Sequence, residues 1–213
     1  MSFGNVFILG DSYSTFDGHI PADCAPWYCN GGHEQTDVAA VEQTWWWQLC
    51  QETQSHLLLN SSFSGTTICN TGYEQADCSD ISFIARLDKL IKEGYFIQHK
   101  VDTLFIFGGT NDSWADSPIG ELQYEGWTKT DLFSVLPAFC YLLHQAKTNL
   151  LNAKIIVVIN TELKDAITKG MQTACQTMGI QSILLQDIAK DCGHPNILGM
   201  TQIKDQIIQH SSN

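Results

Sequence analysis

The sequence predicts a doubly wound α/β sandwich, on three observations. Short, nearly continuous apolar runs recur along the chain, stretches with helical spacing lie between them, and Gly, Asn or Asp bounds most of the runs. Runs of Val, Ile, Leu and Phe without polar alternation suit strands buried on both faces of a parallel sheet. The helices between them then serve as the crossovers that parallel strands need.

Five strands are expected, at residues 5–9, 56–59, 103–107, 154–159 and 181–185. A first helix is expected over 38–53, which contains Trp45, Trp46, Trp47 and Leu49. A second, over 81–92, carries Ile84, Leu87, Leu90 and Ile91 at helical spacing. Residues 132–151 are apolar on one face, and 162–178 end before Gly179, a natural helix stop. The last helix is expected over 196–210, with Pro195 at or just before its start. Two segments break the alternation, at 16–37 and 112–130. Both leave the carboxyl ends of predicted strands, where open α/β sheets bind ligands. Loops of that length in a compact domain are usually functional or disordered, and the aromatic residues of these two favour function.

Bulk properties narrow the function. At 213 residues the chain suits one domain with a substantial core; 44% hydrophobic and 16% charged residues describe a globular protein. A net charge of −12 argues against nucleic acid and anionic membrane surfaces as partners. No apolar stretch approaches the ~20 residues that span a bilayer. Residues 1–5 hold no basic residue, and the run at 6–9 is too short for a signal-peptide core, so the chain reads as cytoplasmic. Eight cysteines are scattered rather than framed. Cys50, Cys140 and Cys175 fall in predicted helices as buried thiols; Cys24 with Cys29, or Cys69 with Cys78, are open pairings.

Four short motifs carry possible chemistry. Gly10-Asp11-Ser12-Tyr13-Ser14 follows the first strand and holds a serine on a tight turn; alone, it reads more readily as an ordinary turn or helix cap. Gly65, in Asn60-Ser61-Ser62-Phe63-Ser64-Gly65, lets a backbone N–H approach an oxyanion, or simply makes a turn. Gly108-Gly109-Thr110-Asn111-Asp112 follows the third strand and offers a neutral amide donor. Asp191-Cys192-Gly193-His194 precedes the last helix, and an Asp three residues from a His can orient it as a general base. All four lie at the carboxyl ends of predicted strands.

In this order and placement the set resembles the four sequence blocks of the SGNH (GDSL-type) hydrolases, from Gly10 to Asn196. The resemblance implies a flavodoxin-like three-layer α/β/α fold with a five-stranded parallel sheet. It implies a serine esterase with Ser12 as nucleophile, His194 as base and Asp191 as its orienting carboxylate. The oxyanion hole would be formed by the Ser12 and Gly65 N–H groups and the Asn111 side chain. It implies no metal and no organic cofactor, and a small-molecule ester as substrate.

Other residues are weighed against that frame. Ser14 is the nearest rival nucleophile, Asp11 is expected to brace the turn, and Cys192 carries little weight as a thiol nucleophile. Cys24, Cys29 and His33 fall short of a zinc site. Trp27, Tyr28, Trp114, Tyr124 and Trp127 are candidates for a substrate wall suited to sugar rings or acyl groups. Of the tryptophans at 45–47, at least one is expected to face the neighbouring insertion. The rival functions are a non-catalytic carbohydrate- or small-molecule-binding module on the same fold, and a flavodoxin-like redox protein. The intact Ser12, Asn111, Asp191 and His194 set disfavours the first, and the absence of a full phosphate cradle after strand one disfavours the second.

Overall fold

The computed structural model describes residues 1–211. Five parallel strands form its central sheet: β1 (Asn5–Gly10), β2 (His56–Ser62), β3 (Thr103–Gly108), β4 (Lys154–Ile159) and β5 (Gln181–Leu184), in the order β2-β1-β3-β4-β5. A two-stranded hairpin of β6 (Lys190–Asp191) and β7 (His194–Pro195) follows. The helices are α1 (Trp45–Thr53), α2 (Phe83–Lys92), α3 (Tyr95–Gln98), α4 (Thr110–Trp114), α5 (Val135–Asn149), α6 (Asp165–Met178) and α7 (Ile197–Ser211).

The period of two along each strand sends alternate side chains to opposite layers. Val6, Ile8, Phe105, Phe107, Ile156 and Val158 pack with Trp45, Trp46 and Leu49 of α1 and with Met200, Ile203 and Ile207 of α7. Phe7, Leu9, Leu104, Ile106, Val157 and Ile159 face α2, α5 and α6. The result is a three-layer α/β/α sandwich, with the central strands β1, β3 and β4 buried almost throughout and the edge strands β2 and β5 half-buried in part.

Register decides where the motifs go. Gly10 pairs with Ser62 on one side and Phe107 on the other, while Gly108 pairs with Ile159. The segments that follow β1, β2, β3 and β4 therefore emerge along one sheet edge.

Several helices start later than periodicity suggests. The stretch at 38–53 becomes a 3-10 turn (Val41–Gln43) followed by α1, because Thr44 is extended and its Oγ1 accepts the Trp47 N–H at 3.4 Å. Ser82 caps α2 in the same way, and α6 begins at Asp165. Of the adjacent tryptophans, Trp46 and Trp47 meet His19 of the 16–37 insertion at ring distances of 5.9 Å. Among the described residues no helix is long and apolar enough to cross a membrane. All eight cysteines are free thiols, so neither open pairing forms.

Candidate active site

The turn that carries Ser12 is built from its backbone outward. Directly after β1, Asp11 caps a 3-10 turn (Ser12–Ser14) by accepting the Tyr13 N–H at 3.1 Å. Burial pushes the Asp11 carboxyl up to about 7, and nearby Asp112 adds to the rise. Thr15 locks the turn from behind, donating from both its amide (3.2 Å) and its hydroxyl (2.9 Å) to the Ser12 carbonyl. Ser12 is 2% exposed, and its hydroxyl faces His194 Nε2 at 3.0 Å. Ser14 is fully buried: its Oγ accepts from Trp45 Nε1 and its carbonyl from Asn60 Nδ2, so it is not available as a rival.

His194 stands on the β6–β7 hairpin, whose two-residue turn, Cys192-Gly193, has positive φ at both positions. That is the primed turn geometry matching strand twist. Gly193 is needed there for a second reason, since a Cβ would lie 3.1 Å from the Trp114 ring. Two tyrosine hydroxyls pin the hairpin: Tyr13 donates to the Gly193 carbonyl at 2.5 Å and Tyr28 to the Pro195 carbonyl at 2.8 Å.

The expected Asp191–His194 pair is not formed. His194 Nδ1 faces the Cys192 carbonyl at 3.3 Å, Asp191 is exposed, and no hydrogen bond or ion pair links it to His194 among the described residues. The tight turn brings its own carbonyl under Nδ1, and packed rings hold the imidazole there. A carbonyl oxygen can only accept, so the ring nitrogen facing it, Nδ1, carries the proton and Nε2 is left to accept the Ser12 O–H. Burial lowers His194 to about 4, helped by the nearby His33 and Lys190. The ring is thus neutral, and competent as a base, from about pH 5 upward. Asp191→Asn is expected to change kcat/KM by less than about fivefold, the most an exposed charge pair contributes. A fall of about 10⁴ instead would restore Asp191 as an orienting acid.

The opposite wall is formed by residues after β2 and β3. Gly65 is exposed, with φ +79°, and a Cβ there would meet nothing within 4 Å. Among the described residues, neither its N–H nor that of Ser12 donates to a protein acceptor. Asn111, 2% exposed, opens the first turn of α4; its Nδ2 donates to the Thr66 carbonyl at 3.0 Å, leaving one amide hydrogen unassigned. Its Oδ1 accepts the Tyr73 hydroxyl at 2.8 Å, which fixes the amide's orientation.

Two supporting residues were not visible in the sequence. The buried guanidinium of Arg86, on α2, donates to the carbonyls of Gly10 and Ser61 and to Thr66 Oγ1, tying the ends of β1 and β2 to the Gly65 loop. Buried Asp112 accepts the Ile68 and Cys69 N–H groups, and burial raises its carboxyl to about 6. Neither has a local signature, because the contacts that brace the site reach residues at least 20 positions away in sequence. Tyr73 also lacked a signal beyond its aromatic type.

The aromatic candidates divide. Trp27 stacks on the His194 ring at 3.7 Å and 8°, and Trp114, 46% exposed, meets it edge-on at 5.7 Å. Tyr28 is fully buried behind the hairpin and cannot form a substrate wall. Tyr124 and Trp127 also depart from expectation. They pack on the core of the α5 layer, with Trp127 against Tyr141 and His144, so the second insertion serves that helix. Cys29 and His33 are directed at backbone carbonyls of their own loop, those of Gly32 and Trp27.

A serine hydroxyl facing an imidazole, on the carboxyl edge of a parallel 2-1-3-4-5 sheet, defines the class: a hydrolase on the SGNH α/β/α scaffold. The chain belongs to the GDSL-like lipase/acylhydrolase family, whose model matches residues 4–211. It is similar to a protein described as a GDSL-like lipase from Bacteroides ovatus, with 46% identity and a TM-score of 0.92, over 100% of this chain and 99% of that one. A second such protein, from Bacteroides uniformis, shares 45% identity at a TM-score of 0.90, over 98% and 96% of the two chains. An acetyl xylan esterase from the rumen bacterium Butyrivibrio proteoclasticus shares the fold alone: 14% identity and a TM-score of 0.58, over 99% of this chain and 63% of that one. No curated protein matches.

Proposed function

We propose that this hydrolase is a serine esterase that removes a short acyl group from a polar alcohol, with a sugar as the favoured alcohol. The observation that carries the reading is the 3.0 Å contact between Ser12 Oγ and His194 Nε2, with the other ring nitrogen occupied by a carbonyl. As Ser12 attacks the ester carbonyl, its proton passes to Nε2. The N–H groups of Ser12 and Gly65 and the free amide hydrogen of Asn111 receive the oxyanion. His194 then protonates the leaving alcohol and activates water for deacylation.

Access supports a short acyl group, since Ser12 and Asn111 are both 2% exposed and aromatic rings crowd His194. The half-exposed rings of Tyr73 and Trp114, beside Asn111 and His194, suit the face of a sugar.

Hydrolysis of p-nitrophenyl acetate, butyrate and octanoate tests the reading. The acetate is expected to give the highest kcat/KM, with octanoate lower by at least about tenfold, the smaller end of what unaccommodated methylenes cost in a closed pocket. Preference for octanoate would make the enzyme a long-chain lipase. Inertness on all three, with no fluorophosphonate labelling of Ser12, would favour a binding module.

A further inference from the structure

His194 must become a cation each time Ser12 attacks, yet among the described residues no carboxylate is bonded to it. What touches its ring instead is the indole of Trp27, parallel within 8° at a centroid distance of 3.7 Å. We propose that Trp27 is the positioning residue for His194, its π face holding the imidazole in register with Ser12 and stabilising the imidazolium formed during attack. The inference rests on the esterase reading above.

Trp27 is itself anchored to the nucleophile. Its backbone N–H donates to Thr15 Oγ1 at 2.8 Å, and the same hydroxyl donates to the Ser12 carbonyl at 2.9 Å. Its carbonyl takes His33 Nε2 at 3.0 Å, and the His33 ring stands edge-on to the indole at 5.1 Å. Tyr13 and Trp114 complete the enclosure, with ring distances to His194 of 5.4 and 5.7 Å. The imidazole therefore has an aromatic face beneath it, aromatic groups at its sides, and the Ser12 hydroxyl and Cys192 carbonyl at its two nitrogens.

The surrounding charges leave that role open. Lys190, on the same hairpin, lies 5.8 Å from the Tyr13 ring and is paired with Glu162. Lys190 and His33 both oppose a positive His194, while Asp191 is exposed and Asp11 is turned to the Tyr13 N–H. A desolvated cation over an indole face is attracted by the ring quadrupole without requiring a buried anion. The charge exists only in passing. As the Oγ–C bond forms, the Ser12 proton moves to Nε2 and Nδ1–H stays on the Cys192 carbonyl. As the ester C–O bond breaks, the Nε2 proton moves to the leaving oxygen and the ring is neutral again.

The test replaces Trp27 by Phe and by Leu. It measures kcat and KM for p-nitrophenyl acetate across pH, and follows the His194 ring titration by NMR. Leu keeps an apolar cover but has no π face; Phe keeps a weaker one. The expected order in kcat is Trp, Phe, Leu, with Leu down by roughly 10–30-fold and KM little changed. The His194 midpoint, and with it the acid limb of activity, should fall in the same order, by up to about one pH unit for Leu. An unchanged or raised midpoint in the Leu variant would overturn the proposal, as would a raised KM at constant kcat, which would make Trp27 a substrate wall. If Trp27→Leu fails to fold, Trp27→Phe against wild type gives the same comparison at smaller amplitude. A wild type inert towards esters would defeat the esterase reading, while the NMR titration would still show whether the stack favours the cation.

Discussion

Ser12→Ala is expected to reduce ester hydrolysis by about 10⁴- to 10⁶-fold in kcat, the range seen when the nucleophile of a serine hydrolase is removed and only the oxyanion donors and binding remain. The expectation is large because nothing nearby can substitute. Ser14 is fully buried, with its hydroxyl occupied by Trp45 Nε1. The Cys192 thiol sits on an exposed turn that presents its carbonyl, rather than its sulfur, to His194. The fold should survive, because Ser12 Oγ has His194 Nε2 as its hydrogen-bond partner and the turn's backbone is held by the Thr15 hydroxyl and the Asp11 carboxylate. Removing one hydrogen bond of this kind costs about 1 kcal/mol. Turnover measured beside a thermal melt checks both halves. A stable Ser12→Ala protein that still turns over within tenfold of wild type would remove Ser12 as nucleophile.

Asn111→Ala should lower kcat by about 10²- to 10³-fold, the typical consequence of deleting one oxyanion donor, with KM changed far less. The amide is unusually well fixed for a side chain: Tyr73 donates to its oxygen and its nitrogen donates to the Thr66 carbonyl. A pre-oriented donor needs no reorganisation as the oxyanion develops, so its loss falls on the transition state. Asn111→Asp keeps the shape but supplies an acceptor where a donor is needed, and should lose at least as much. Equal losses in kcat and kcat/KM are expected; a change confined to KM would place Asn111 in substrate binding alone.

Much of this site was legible because its motifs are local and end at strands. Gly10-Asp11-Ser12, Gly65 and Gly109-Thr110-Asn111 each follow an apolar run, and a parallel sheet in this register aligns the ends of those runs. The partners of those residues were not legible. Arg86 looks from sequence like one more polar position on an amphipathic helix, yet its guanidinium reaches Gly10, Ser61 and Thr66. Asp191 looks like a triad acid because it lies three residues from His194, but spacing does not reveal that a tight turn puts the Cys192 carbonyl under Nδ1. Tyr124 and Trp127 resemble a substrate wall until the second insertion is seen lying on α5.

The sequence by itself determined the layers. Unbroken apolar strands alternating with amphipathic helices can hide their surface only between two helical layers, and strand ends then gather on one edge. Only the tertiary structure decided what surrounds the imidazole. Ser12 and His194 are 182 residues apart, and Trp27 reaches the same ring from a loop without regular structure. Contacts of that kind depend on rotamers and on packing between distant segments. Periodicity constrains neither, because it records which face a residue occupies and not what it meets there.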